Sequence, residues 1–182
     1  MNNMARKKQA DEFLYKFGLL DKLKEYGEPH IIGSYCMDTM AWNDLDIFIS
    51  NEAMSLERLY KLSDYILGIF KPFWYEAKQV TDENETPVWF HGFETTITGE
   101  LWNFDLWFRG KGDISEAKRL IADINEKTNE DPALKESIIS IKKALIDMGQ
   151  YNYEPYTSMD VYNAVLEHGV KTIGEFLSQC SK

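Results

Sequence analysis

The chain has 182 residues, of which 44% are hydrophobic and 14% aromatic. That content fills a core, so disordered and fibrous architectures are excluded, and the length fits one domain or one with a small appendage. Thirty acidic against twenty basic residues leave a formal charge of −10. Such a surface repels phosphate backbones and anionic lipid, which argues against a nucleic-acid or membrane partner. The two cysteines, Cys36 and Cys180, cannot form a disulfide framework, and the three histidines lack the spacing of a zinc site. No apolar stretch approaches the ~18 residues that crossing a bilayer requires. Arg6, Lys7 and Lys8 lead into a polar helix rather than an apolar secretion segment, so the expectation is a reducing, cytoplasmic setting.

In chain order, residues 10 to 26 read as one helix, with Phe13, Phe17 and Leu20 at helical spacing and Gly27 and Pro29 as its stop. His30-Ile31-Ile32 follows as a short apolar run ending at Gly33. An irregular loop comes next, then Leu45 to Ile49 as a strand. Ser55 opens a helix whose apolar residues are Leu56, Leu59, Tyr60, Ile66, Leu67 and Phe70. Phe73 to Val80, Pro87 to Ile97 and Glu100 to Arg109 are dense in aromatic and β-branched residues and read as strands, the last two joined by a hairpin at Thr98-Gly99. Beyond Asp113 the signals turn helical. Asp113 with Glu116 has the form of a capping box, and Asp131-Pro132 places an N-cap before a proline. Ile138, Ile141, Leu145 and Met148 form a stripe, and a final helix pair divides at Gly169, the second member opened by Thr172 with Glu175. Tyr162, Val165, Val170, Ile173 and Phe176 read as its core. Strands and helices do not alternate regularly, so the class is α+β. The division is an α+β core over residues 1–112 and a helical C-terminal region over residues 113–182 packed on it.

One segment concentrates the chemistry: Ile32-Gly33-Ser34, then Asp44-Leu45-Asp46-Ile47. In a strand, residues i and i+2 share a face, so Asp44 and Asp46 project side by side while Leu45, Ile47 and Ile49 anchor the other face. Paired carboxylates raise each other's pKa unless a cation lies between them, and an oxygen-only donor set suits Mg²⁺. Gly33 lets backbone approach a phosphate, and Ser34 adds a hydroxyl. Asp105, alternating with Asn103 and Trp107 in a greasy strand, is costly to bury without a partner. Glu76 and Glu94 are rival third acids on neighbouring strands. His91 reads as a surface or hairpin histidine and Cys36 as a bystander. Trp74, Trp89, Trp102 and Trp107 read mostly as core, with Tyr35 and Trp42 as further candidates to stack on a base.

An apolar residue, Gly-[Gly/Ser], nine to thirteen residues, then Asp-apolar-[Asp/Glu]-apolar is the signature of the nucleotidyltransferase superfamily that includes DNA polymerase beta, and residues 28 to 109 resemble it. The resemblance implies a small mixed β-sheet flanked by helices. It implies that Asp44, Asp46 and Asp105 are the catalytic and metal-holding residues of a two-metal Mg²⁺ site, that a nucleoside triphosphate is co-substrate, and that Gly33 and Ser34 grip the triphosphate. Small bacterial members often carry Arg just after Gly-Ser, where this chain has Tyr35, Cys36, Met37 and Asp38. Arg58, Lys61, Arg109 and Lys111 are the candidates to supply that cation. The acidic balance, together with small members that modify aminoglycoside or lincosamide antibiotics, points to transfer of a nucleoside monophosphate onto the hydroxyl of a small-molecule acceptor. Alternatives are an inactive nucleotide-binding or regulatory module, such as a toxin–antitoxin component, and nucleotidylation of a protein. Whether two chains form a homodimer is not legible in the residues.

Overall fold

Period-two alternation in the middle of the chain builds a five-stranded sheet. The computed structural model describes residues 2–81, 86–97, 99–151 and 155–180. The strands are β1 (Pro29–Ile32), β2 (Asp44–Ser50), β3 (Trp74–Thr81), β4 (Pro87–Ile97) and β5 (Glu100–Arg109). They lie in the order β1-β2-β5-β4-β3, with β2 parallel to β5 and every other pairing antiparallel. A parallel pair needs a long crossover. Here the crossover carries a helix, α4 (Leu56–Phe70), and the strands β3 and β4. The architecture is α+β, a mixed sheet flanked by helices. Gly99 has φ +81°, as a tight turn between β4 and β5 requires, and the Thr98 half of the expected turn lies outside the described residues.

One sheet face presents Leu45, Ile47 and Ile49 from β2, Phe93 from β4, and Phe104, Leu106 and Phe108 from β5, all buried. Phe93 and Phe104 stack with centroids 4.5 Å apart, and Phe13 meets Phe104 edge-on at 5.1 Å. Each such side chain contributes ~1.5–3 kcal/mol of burial. The helices on this face are α4 and the N-terminal segment. The latter is broken where the sequence suggested one helix. It comprises α1 (Asn3–Asp11), a π-helical turn over Glu12–Lys16, and α2 (Leu19–Lys24). Gly18, at φ +75°, supplies the left-handed residue that ends one piece and starts the next. In α4, Ser55 caps the start, Leu59, Leu62, Ile66 and Phe70 are buried, and Leu56, Tyr60 and Leu67 face outward.

His91 is fully buried, contrary to the surface position expected of it, because β4 is an interior strand and His91 falls on its core face. Its Nδ1 lies 2.8 Å from the Tyr75 hydroxyl, which donates to Ser63 Oγ at 2.6 Å.

A second apolar cluster joins α5 (Lys111–Glu130), α6 (Pro132–Asp147), α7 (Ser158–His168) and α8 (Ile173–Cys180) through Ile124, Ile138, Ile141, Leu145, Val161, Val165 and Phe176. Asp131 caps α6 ahead of Pro132, and Gly169 ends α7 at φ +67°. The capping box expected at Asp113 is absent. The helix starts three residues earlier, with Gly110 as N-cap, and Asp113 sits in the first turn 3.7 Å from Arg109. Helix α5 packs beside β1 and β2 on the sheet face opposite the first cluster, so a cleft opens between sheet and helices.

Candidate metal and nucleotide site

The parallel pairing of β2 with β5 sets Asp46 directly beside Asp105 and Asp44 beside Asn103. Alternation turns all four side chains toward the cleft while Leu45, Ile47, Phe104 and Leu106 hold the strands from behind. One carboxylate oxygen from each of Asp44, Asp46 and Asp105 lies within 4.8 Å of the other two. The Asn103 amide donates to Asp44 Oδ1 at 2.8 Å and fixes that carboxylate's orientation.

Burial pushes the Asp44 carboxyl well above its ordinary range, and Asp46 pushes it further. Burial, then Asp105, raises Asp46 to about 7. Asp105 is also raised, chiefly by burial and then by Glu76 and Glu94. Three converging carboxylates with no ion-paired cation among the described residues form an oxygen-only donor set whose mutual repulsion a divalent ion would relieve. The residues fit Mg²⁺.

Gly33 begins the one-turn helix α3 (Gly33–Cys36), where the sequence suggested an irregular loop, at φ +69°. A Cβ there would collide with an Asp46 carboxylate oxygen, so glycine is required twice over, by conformation and by space. Ser34 lies beside it on the cleft wall. The turn after α3 is held at Asp38, itself at φ +55°, by Lys7 at 2.5 Å and Lys135 at 3.7 Å. Cys36 is inert here, its thiol donating to the Ile31 carbonyl.

None of the four cations expected at the phosphates lines the cleft. Arg58 donates to the Glu25 carbonyl and covers the Tyr26 ring, Lys61 pairs with Glu57, Lys111 pairs with Glu52, and Arg109 faces Asp113 and stacks on Trp107. The cleft instead receives Lys142 from α6, 1% exposed. Its ammonium donates to the Tyr162 hydroxyl at 2.7 Å, and that hydroxyl lies 2.9 Å from Thr39 Oγ1. Burial lowers Lys142 to about 7, against the pull of Asp46 and Asp44. A buried lysine without a paired carboxylate is costly unless an anion comes to it. In sequence Lys142 is masked by Ile138, Ile141 and Leu145, whose stripe labels α6 as core. Tyr162 likewise reads as core, and its ring is; its hydroxyl is not.

The cleft holds about 430 Å³. Its roof comprises Ala117, Leu120 and Ile121 from α5 and Ser158, Met159 and Tyr162 from α7, with Trp42 and Trp107 also on its walls. Tyr151 lines it as well, its hydroxyl 2.6 Å from Ser158 Oγ. Trp89 and Trp102 are core, as expected; Trp74 is 42% exposed.

No protein-family model matches the chain, and no curated protein matches it. Solved structures do. The chain is similar to the Cid1 poly(U) polymerase bound to MgATP, with a TM-score of 0.58 and 16% identity over 88% of this chain and 51% of that one. A cytoplasmic RNA terminal U-transferase gives 0.53 and 16%, over 87% and 48%. The poly(A) polymerase complex GLD-2–GLD-3 gives 0.51 and 13%, over 94% and 59%. The chain therefore spans about half the length of the polymerases whose fold it shares.

Proposed function

We propose that this chain, which has the fold of the nucleotidyltransferase superfamily, moves a nucleoside monophosphate from a nucleoside triphosphate to the hydroxyl of a small acceptor. The observation that carries the reading is the convergence of Asp44, Asp46 and Asp105 on one point with Lys142 reaching into the same cleft. Magnesium held by the three carboxylates would lend positive charge to the attacking and leaving oxygens of an in-line displacement at the α-phosphorus. Lys142, Ser34 and the backbone at Gly33 bind the β- and γ-phosphates and stabilise the departing pyrophosphate. The apolar roof of Leu120, Ile121 and Met159 covers the nucleoside and excludes water. Asp105, nearest of the three acids to the open β4 and β3 side of the sheet, accepts the hydroxyl proton at a carboxylate oxygen, for which its raised pKa suits it.

Transfer to an RNA 3′ hydroxyl is the second reading, favoured by the fold shared with poly(U) and poly(A) polymerases. A formal charge of −10 weighs against it, since phosphate contacts demand clustered Lys and Arg. An aminoglycoside or lincosamide is the antibiotic form of the small-acceptor reading and rests on the sequence resemblance alone.

The test is a thermal-shift series with each of the four nucleoside triphosphates, with and without Mg²⁺, on wild type and Asp44→Asn/Asp46→Asn. Ligand at about a hundred times its dissociation constant adds roughly 2.7 kcal/mol. A Mg²⁺-dependent shift in wild type that the double variant loses supports the site; no shift with any triphosphate overturns it.

A further inference from the structure

The outer end of the sheet carries a charge pattern that acquires meaning only through its place in the fold. β3 is the terminal strand: it pairs with β4, and among the described residues nothing pairs with its other edge. None of its eight residues is fully buried, whereas β4 buries Val88, Trp89, Phe90, His91 and Phe93. An uncovered edge of this length is a template for another strand. Natural edges are blunted by proline or by an unmatched lysine, and β3 has no proline. Its lysine is matched. Lys78 Nζ lies 3.0 Å from Glu76 on the same face.

Glu76 and Lys78 stand symmetrically about Ala77 with opposite charge. Two copies of β3 laid antiparallel and centred on Ala77 set Glu76 opposite the partner's Lys78, and Lys78 opposite the partner's Glu76. Trp74 then lies opposite the partner's Val80, so charged and apolar positions on that face are both matched. The pair within each chain is kept. Each carboxylate gains a second ammonium neighbour, and the four side chains close a ring of alternating charge. The register is also selective: a centre at Glu76 or at Lys78 opposes like charges. A centre between residues would set the cleft face of one copy beside the core face of the other.

The other face supplies apolar contact. Leu56, Tyr60 and Leu67 of α4 fall in one stripe, at i, i+4 and i+11, and all are exposed, Tyr60 at 68%. Ser63 belongs to the same stripe and accepts from the Tyr75 hydroxyl of β3 at 2.6 Å, so the stripe leans toward the uncovered edge. Phe73, just ahead of β3, is 64% exposed. An apolar patch of this kind beside an open sheet edge marks a protein interface. A two-fold axis normal to the sheet keeps each face on its own side. It brings the two α4 stripes together on one face and leaves both clefts open on the other.

We propose that the chain forms an isologous dimer with a second copy of itself, in which β3 pairs antiparallel with the partner's β3 about Ala77. Two five-stranded sheets then become one continuous sheet, and the open edge of each is covered by the other.

Sedimentation of the full chain between about 1 and 100 μM tests this. Wild type should sediment as a dimer. Lys78→Glu or Glu76→Lys alone sets like charges across the axis and should give a monomer with unchanged far-ultraviolet circular dichroism. Two rescues separate a broken interface from a broken fold. The exchanged variant Glu76→Lys/Lys78→Glu should dimerise again. So should an equimolar mixture of the two single variants, whose strands complement each other. Tyr60→Ser/Leu67→Ser should raise the dimer dissociation constant at least about tenfold. The dimer assignment is overturned by a wild type that is monomeric throughout, by a dimer that both single charge variants keep, or by single variants that neither exchange nor mixing rescues. An unchanged dissociation constant in the α4 variant overturns it equally.

Discussion

Replacing Asp46 by Asn separates a metal-holding carboxylate from a structural one through the sign of its effect on stability. In the folded chain Asp46 titrates at about 7, raised by burial and then by Asp105, against ~3.9 for an unfolded aspartate. A carboxyl raised in the folded state is neutral and harmless below ~3.9, and destabilises increasingly as pH climbs to the folded value. Above about 7 the cost is complete. A shift of roughly three units amounts to ~4 kcal/mol; residual solvent in the cleft and the Lys142 ammonium reduce this to about 2 kcal/mol. The asparagine keeps the shape without the charge. The variant should therefore match wild type at a pH of about 4 and melt about 4–8 °C higher at a pH of about 8 in EDTA. Saturating Mg²⁺ and triphosphate should reverse the order, since only wild type gains binding energy. Melts at these two pH values, with EDTA or with Mg²⁺ and triphosphate, read this directly. An Asp46→Asn variant less stable than wild type at the higher pH in EDTA would refute the reasoning, because Asp46 would then be engaged in a stabilising structural bond.

Lys142→Met should cost at least about tenfold in triphosphate affinity by calorimetry while leaving the metal-free melting temperature equal or higher, since the buried charge is removed; unfolding of the free variant would place Lys142 in the core instead. Gly33→Ala forces a side chain into left-handed backbone and onto Asp46, so a loss of about 2–3 kcal/mol in urea unfolding and loss of the Mg²⁺-dependent shift are expected. His91, lowered to about 4 by burial, is neutral and costless above ~6.5, and its contribution falls as pH drops from there toward the folded value. Wild type should lose about 2–3 kcal/mol across that window, and His91→Phe should lose less; identical acid-unfolding curves would exclude this origin.

Much of the site was legible because the strands that carry it alternate with a period of two. Asp44 to Ser50 does so throughout and β5 does so from Phe104 to Arg109, so the face carrying Asp44, Asp46 and Asp105 followed from spacing. What escaped depends on tertiary neighbours. Gly18 divides the N-terminal helix because a left-handed residue is tolerated there, and glycine alone does not announce that. His91 is core only because β3 and β5 flank its strand on both sides. Lys142 belongs to an apolar stripe, and only its hydrogen bond to Tyr162 and its place on the cleft wall distinguish it from a misplaced charge. Glu94 and Glu76, weighed as third acids, in fact face the same side as Asp105, one and two strands away.

The sheet under the cleft and the helices over it are backed by different apolar clusters, one behind the sheet and one among α5 to α8, and Met37 from the sheet half enters the second. A triphosphate held at Asp46 and Lys142 would span both. Its binding energy would then be shared unequally in amide hydrogen exchange: protection should rise most along α6 and α7, whose attachment to the sheet the ligand reinforces, and least along α4, which is already fixed to the sheet's other face.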